Sequence, residues 1–240
     1  MTKSLSEKGI LYLIPSALGE NDIANFISPD FKITIFDIDE FIVENIRTTR
    51  RYLRSIGYDK NFDAVIFHEL NEHTNPLEIS SFLESLRKGK NIGLLSEAGC
   101  PCIADPGSQI VKIAQSENIR VVPLVGPSSI ILGLMASGFN GQNFAFNGYL
   151  PVEQSQRIKK IKELESIAIH KNQTQIFIET PYRNMKLFED IIKSCFNQTS
   201  LCIATDICQP TESIKTKTIL QWKTEKLELH KKPSVFLISK

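Results

Sequence analysis

The chain has 240 residues, enough to bury a substantial core as one large domain or two smaller ones. Charged residues make up 23% and apolar ones 42%, and a net charge of +1 offers no whole-molecule attraction to nucleic acid or a membrane. Five cysteines, an N-terminus (MTKSLSEKG) too polar for a signal peptide, and no apolar run near ~18 residues predict an intracellular, cytoplasmic protein with reduced thiols and no membrane segment.

In chain order, the apolar run Gly9 to Pro15 (GILYLIP) is predicted as the first strand, closed by its proline. SALGEND follows, a small and polar loop suited to cap a helix after it. Phe31 to Phe36 is predicted as a second strand, and Ile38 to Ile56 as a long helix. On that helix Arg47, Arg50, Arg51 and Arg54 are spaced by three and four, so they share one side. Such a face is either a solvated surface or a phosphate-binding stripe, since guanidinium forks suit phosphate oxygens. Ala64 to His68 is predicted as a third strand. It runs into HELNEH, where His68, Glu69 and Asn71 form either a hydrogen-bonded loop or an acid–base site. Pro76 to Gly89 is predicted as a helix.

The stretch from Gly93 to Ser137 dominates the first half. A buried-strand run (Ile92 to Leu95) empties into a loop holding Gly99, Pro101, Pro106 and Gly107, and a helical pattern follows around Ile110. A second run (Arg120 to Leu124) leads into VGPSS and another apolar helix. Both loops are expected side by side at the carboxyl edge of one sheet, where open α/β sheets bind ligands. Ser128 or Ser129 would cap the second helix. Cys100-Pro-Cys102 lacks the usual metal spacing and a nearby histidine, so no metal is expected.

A composition change at GYLP places the domain boundary at 147/148, giving domains 1–147 and 148–240. The second half reads as a helix (Val152 to His170), a strand (Thr174 to Ile178) and a helix (Met185 to Cys195). A strand (Leu201 to Asp206), an alternating strand in ESIKTKTILQW and a final apolar strand in PSVFLIS follow. Strand–helix alternation predicts a largely parallel N-terminal sheet and a mixed C-terminal one, an α/β protein. No GxxxxGK[ST], GxGxxG or GxSxG is present. What remains are small-residue loops rich in backbone donors and acceptors, with hydroxyls at Ser96, Ser128 and Ser129.

LLSEAGCPCIADPGSQIV, VPLVGPSS, GYLP and IFIETPYRN resemble the tetrapyrrole methylase family, and within it the branch of ribosomal small-subunit RNA 2′-O-ribose methyltransferases. The match is collinear over nearly the whole chain. The resemblance implies two α/β domains forming a trough, S-adenosylmethionine as cofactor, and a homodimer. Carried over by position, it implies cofactor contacts at Ser96, Glu97, Ala98 and Gly99, at Ser128 and Ser129, and at Leu150, Glu179 and Ile207. ENIRTTRRYL and HELNE align with the branch's substrate segments. That implies Arg47, Arg50, Arg51, His68 and Asn71 as substrate contacts, with Glu69 and Glu44 as candidate catalytic carboxylates. The chain departs from the branch in SALGEND, in Glu44-Asn45-Ile46-Arg47 and in Thr205-Asp206-Ile207-Cys208. The expected activity is methylation of a ribose 2′-hydroxyl in small-subunit ribosomal RNA. Two alternatives stand beside it: a corrinoid or other tetrapyrrole as acceptor, and a non-catalytic member that binds cofactor or RNA.

Overall fold

Short apolar runs become the inner strands of two separate sheets in a computed structural model that describes residues 7–19 and 27–240. Glu20, Asn21 and Asp22 of SALGEND, and the helix expected after it, lie outside the described residues. The chain divides into two compact units, Met1–Pro127 and Ser128–Lys240.

In the first unit, β1 (Ile10–Leu13), β2 (Glu40–Val43), β3 (Ile66–Glu69), β4 (Ile92–Leu95) and β5 (Arg120–Pro123) form a sheet of order β3-β2-β4-β1-β5. Every pairing in it is parallel. All residues of β2 and β4 are buried, because apolar layers cover both faces of the sheet. One layer joins Ile14, Phe41 and Leu95 to helices α1 (Pro29–Phe36) and α2 (Ile46–Ser55); the other joins Leu11, Ile42 and Leu94 to α4 (Ser108–Ser116).

The expected strand at Phe31 to Phe36 is helix α1. Ser28 caps it by accepting from the Phe31 N–H, Pro29 opens its first turn, and buried Phe31 and Ile35 fall one turn apart. The expected helix from Ile38 to Ile56 is two elements, β2 and then α2. The change falls at Asn45, whose side-chain oxygen accepts from the N–H groups of Arg47 and Thr48 and so starts α2. The Pro76 to Gly89 helix shrinks to a 3-10 turn (Ile79–Leu83) and one helical turn, α3 (Glu84–Arg87).

The second unit begins with α5 (Ser129–Ser137), earlier than the expected boundary at 147/148. The reason is packing. A Cβ placed on Gly133 would meet Ala204, Ile207 and Leu237 at 3.5–3.7 Å, and the Thr216 hydroxyl donates to Ser137 O at 2.8 Å. Helix α5 therefore belongs to the second sheet, not the first. That sheet has the order β6-β7-β10-β8-β9, from β6 (Phe144–Tyr149), β7 (Thr174–Ile178), β8 (Ser200–Thr205), β9 (Ser213–Thr218) and β10 (Ser234–Ser239). Only β6 and β7 pair in parallel, so the sheet is mixed. The alternating segment ends at Thr218, where a capping box with Gln221 turns the chain into α8 (Ile219–Trp222).

Helices α6 (Gln154–Lys171) and α7 (Asn184–Ser194) pack beside this sheet around Ile161, Leu164, Leu187 and Ile191. Between them Arg157 and Asp190 form an ion pair, 2.6 and 2.8 Å from one carboxylate oxygen, with both side chains 2% exposed. Gln154 donates to the other oxygen at 2.8 Å. Among the described residues no helix is long and apolar enough to cross a membrane. Arg157→Ala strands Asp190 without its partner and should cost about 3–5 kcal/mol in urea unfolding. Replacing both with Met and Leu should recover most of that loss.

Candidate active site

Three segments of the first unit meet at the carboxyl ends of its strands. The loop after β1 and the loop after β4 are joined by an isolated antiparallel bridge between Ser16 and Gly99, with N–H to O distances of 2.9 and 3.1 Å. The buried Ser16 hydroxyl donates to Ser96 O at 2.8 Å, and the Tyr52 hydroxyl carries α2 into the same junction by donating to Pro15 O at 2.8 Å. Gly99 holds a left-handed φ of +71°, and a Cβ there would stand 3.3 Å from Pro127 O. A side chain would be strained twice over, so glycine belongs at that turn.

The loops after β4 and β5 do not leave neighbouring strands, because β1 lies between β4 and β5. They still touch: the Cys100 thiol donates to Pro127 O at 3.3 Å. Between the joined loops and α2 lies a cleft of about 410 Å³, lined among others by Ser16, Thr48, Arg51, Ser96, Glu97 and Ala98. The expected cofactor loop and one expected substrate arginine therefore share one cavity.

Of the acidic residues nearby, Glu97 lines this cleft, and it connects to Glu44 and Asp105, which do not. The Glu97 N–H donates to Glu44 Oε2 at 3.4 Å, and the Thr48 hydroxyl donates to Glu97 Oε1 at 2.5 Å. Burial, then Asp105, pushes the Glu44 carboxyl above its ordinary range, while the Glu97 N–H pulls it back. Asp105 is itself raised by burial, although it accepts from the N–H groups of Gly107 (2.7 Å) and Ile103 (3.2 Å). Burial and Asp105 push the Cys102 thiol up to about 12, which leaves it protonated and unreactive near neutral pH. Among the described residues no group of three or more His, Cys, Asp or Glu is placed to hold a metal ion.

The arginine face splits by role. Arg51 is exposed and lines the cleft, and Arg47 is exposed on the same turn. Among the described residues neither guanidinium has an ion-pair partner. Arg50 instead lies over the rings of Phe62 and Phe67, at 5.4 and 5.0 Å, with its Nε buried and unpaired. Arg54 sits 4.0 Å over Phe62 and donates to the carbonyls of Tyr58 and Lys60. These two hold α2 to the aromatic cluster, so Arg50 is a packing residue here and not a cleft contact.

His68 hydrogen-bonds buried Glu40 at 2.8 Å and stacks on Phe82 at 4.8 Å. Asn71 closes its own turn, accepting from the His73 N–H at 2.9 Å while Thr74 accepts from its backbone. Glu69 is exposed at the end of β3. None of the three lines the cleft.

In the second unit, Ser128 occupies the N-cap of α5 but makes no side-chain cap bond, contrary to the capping expectation. Ser129 is half-buried in its first turn. Leu150 and Ile207 are 3% and 7% exposed, so their side chains belong to the core and only backbone is left to meet a ligand. Glu179 is tied up locally, accepting from the Thr180 N–H at 2.7 Å and from Arg183 at 2.6 and 3.0 Å. Sequence reasoning missed Ser16, Thr48 and Tyr52. The spacing of Thr48, Arg51, Tyr52 and Ser55 by three and four was the available signal for a cleft-facing stripe.

The fold and the loop-built cleft define a class. A solved structure of the methyltransferase CobJ superposes with a TM-score of 0.63 over 98% of this chain and 95% of that one, at 13% identity. By sequence, a ribosomal RNA small subunit methyltransferase I from Buchnera aphidicola subsp. Schizaphis graminum is 31% identical over 238 residues, covering 98% of this chain and 79% of the relative. The Haemophilus influenzae protein of the same name is 32% identical over 88% of this chain and 70% of its own. No protein-family model matches. The chain belongs to the tetrapyrrole methylase family, in its branch of ribosomal RNA small subunit methyltransferases I, and is a methyltransferase.

The split among the arginines is testable by thermal melting. Arg50→Ala should lower stability by about 1 kcal/mol through lost ring contacts, while Arg51→Ala should leave the melt unchanged. Equal effects would remove the distinction.

Proposed function

We propose that this methyltransferase, working in the cytoplasm, transfers a methyl group from S-adenosylmethionine to a ribose 2′-hydroxyl of small-subunit ribosomal RNA. The observation that carries the reading is the cleft, which puts Ser96, Glu97 and Ala98 of the small-residue loop on one cavity with Arg51, which has no ion-pair partner among the described residues, in a chain whose relatives are named for that RNA. The alternative acceptor, a tetrapyrrole, has only the likeness to CobJ behind it, and at 13% identity that is a likeness of fold.

The residues present fit the cofactor. Backbone groups around Gly99 sit at a turn that a side chain would strain, and Glu97, Glu44 and Asp105 make the region electronegative. That suits a cationic sulfonium ligand. When bound, S-adenosylmethionine supplies a methyl carbon attached to positively charged sulfur. In the first unit Ser96, Glu97, Ala98 and Gly99 are the proposed contacts. In the second they are Ser128, Ser129 and the backbones of Leu150 and Ile207, with Glu179 as a weaker candidate because its carboxylate is already engaged by Arg183.

The chain's own work is to orient the acceptor and take its proton. A ribose hydroxyl is a poor nucleophile at neutral pH and gains from a base within hydrogen-bond reach. Glu44 is the proposed base: it meets the cofactor loop and its raised pKa makes it a better proton acceptor than an ordinary carboxylate. Neither carboxylate lines the cleft, and Glu69 is the weaker candidate because it is exposed and, among the described residues, its side chain makes no hydrogen bond to the cofactor loop. Arg51, with Arg47 beside it, would hold the phosphate next to the target ribose. The basic excess lies in the second unit, with fifteen Lys and Arg against ten Asp and Glu over residues 128–240, so further polyanion contact belongs there and not on the acidic first unit. The homodimer implied by the family belongs to the same reading and is checked by sedimentation.

A base acts in its deprotonated form, and the Glu44 pKa lies above 4.5. Methyl transfer should therefore rise with pH through a midpoint above that value and then level off. Glu44→Gln should lower the transfer rate by about 10²–10⁴-fold and abolish this limb, with cofactor affinity retained in a calorimetric titration. An unchanged rate would remove Glu44 from the mechanism.

A further inference from the structure

Thr48 stands where two demands meet on a single proton. Its hydroxyl lies 2.5 Å from Glu97 Oε1 and 3.1 Å from Asn45 O, and both partners are acceptors. A hydroxyl donates one hydrogen, and the ionised carboxylate is the stronger acceptor, so the proton goes to Glu97. Asn45 O is satisfied without it, since it takes the Thr49 N–H at 3.1 Å within the first turn of α2.

The Glu97 side chain has no other hydrogen-bond partner among the described residues, whereas its backbone N–H points at Glu44. The hydroxyl of Thr48 thus fixes one end of Glu97 while the other end meets the proposed base. The charged groups facing Glu44 are Glu97 from the loop after β4 and Asp105 from the approach to α4, both acidic; Glu69, at the end of the adjacent β3, is solvent-exposed. Among the described residues no cation counters them. An unanchored Glu97 carboxylate would move to relieve this repulsion, and the loop would carry its N–H away from Glu44.

We propose that Thr48 is a positioning residue of the methyl-transfer site, anchoring Glu97 so that the cofactor loop keeps its backbone N–H on Glu44. The inference rests on the proposed role of Glu44 as base. It also assigns Glu97 to holding the loop through its side chain, where a cofactor contact alone would leave the Thr48 bond without purpose.

The test is the pH profile of methyl transfer to small ribosomal subunits for Thr48→Val, Thr48→Ser and the unchanged protein. Thr48→Val keeps the shape and removes the donor. Losing the N–H that favours ionised Glu44 should move the acid limb up by about half to one pH unit and lower the plateau by about tenfold. Thr48→Ser should restore both. A Thr48→Val variant with an unaltered limb and plateau overturns the inference, as does a lowered plateau with an unmoved limb, which marks a merely structural role. Should that variant fail to fold, Thr48→Ala replaces it. Ala removes the same donor with less side chain to place, so it should move the limb up and lower the plateau in the same way. An unmoved limb with Ala overturns the inference. If the unchanged protein transfers no methyl group to the subunits, the proposed function fails first, and that outcome is distinct from each of these.

Discussion

The placement of β1 constrains everything else at the candidate site. It is hydrogen-bonded to β4 on one side and β5 on the other, so the chain leaving it at Pro15 emerges between two further loops. The Ser16–Gly99 bridge continues the β1–β4 contact past the end of the sheet with a reversed local direction. A polar loop is thereby stapled to a rigid parallel core without needing apolar contacts of its own. Because the backbone is tied at Gly99 and at Ser96 O, those two points are held ready in place, which lowers the ordering cost of a ligand that binds by backbone contact, while Glu97 between them has its own side-chain anchor at Thr48.

Helix α2 then separates two functions that a helical wheel merges. One edge packs Arg50 and Arg54 onto Phe62 and Phe67, so the helix is fixed by cation–ring contacts as well as by buried Leu53. The adjacent edge turns Thr48, Arg51 and Tyr52 to the cleft. An arginine already in contact with aromatic rings cannot also reach out to phosphate without giving them up, so the two edges are not interchangeable. Glu97 lines the same cleft as Arg51, and its backbone N–H meets Glu44, which Asp105 faces in turn, so charges of both signs lie close together. Such polarity suits a substrate that brings an anionic phosphate and a cofactor that brings a cationic sulfur.

Most of the architecture was legible in the sequence where one short-range rule dominated. Ile92 to Leu95 is an apolar run between Asn91 and Ser96, Thr174 to Ile178 ends in the apolar run Ile176 to Ile178, and both are strands with the expected limits. The errors fell where two rules competed. The apolar residues of PDFKITIF suggest a strand, yet Ser28 and Pro29 supply a cap and a first turn that decide for helix. EFIV fits a helical pattern because Phe41, Ile42 and Ile46 also suit a helical repeat, and the Asn45 cap is what separates strand from helix. Composition changes at GYLP, whereas the compact units divide at Pro127/Ser128, ahead of a helix whose Gly133 packs on the second sheet. The small residues of the loop after β4 mark it in the sequence as a sharp turn, and Gly99 holds the left-handed conformation there. The division of labour among Arg47, Arg50, Arg51 and Arg54 was not legible, since it depends on where Phe62 and Phe67 fall in space.

The central claim is that the acceptor is a ribose hydroxyl of small-subunit RNA. The most direct measurement is transfer of labelled methyl from S-adenosylmethionine to small ribosomal subunits taken from cells lacking this protein, followed by alkaline hydrolysis of the RNA. Label in a dinucleotide that resists alkali is the predicted result, because a methylated 2′-oxygen can no longer attack the neighbouring phosphate. Label released entirely as mononucleotides would place the methyl group on a base and contradict the account. No label in RNA, from a preparation that binds the cofactor, would contradict the RNA acceptor altogether.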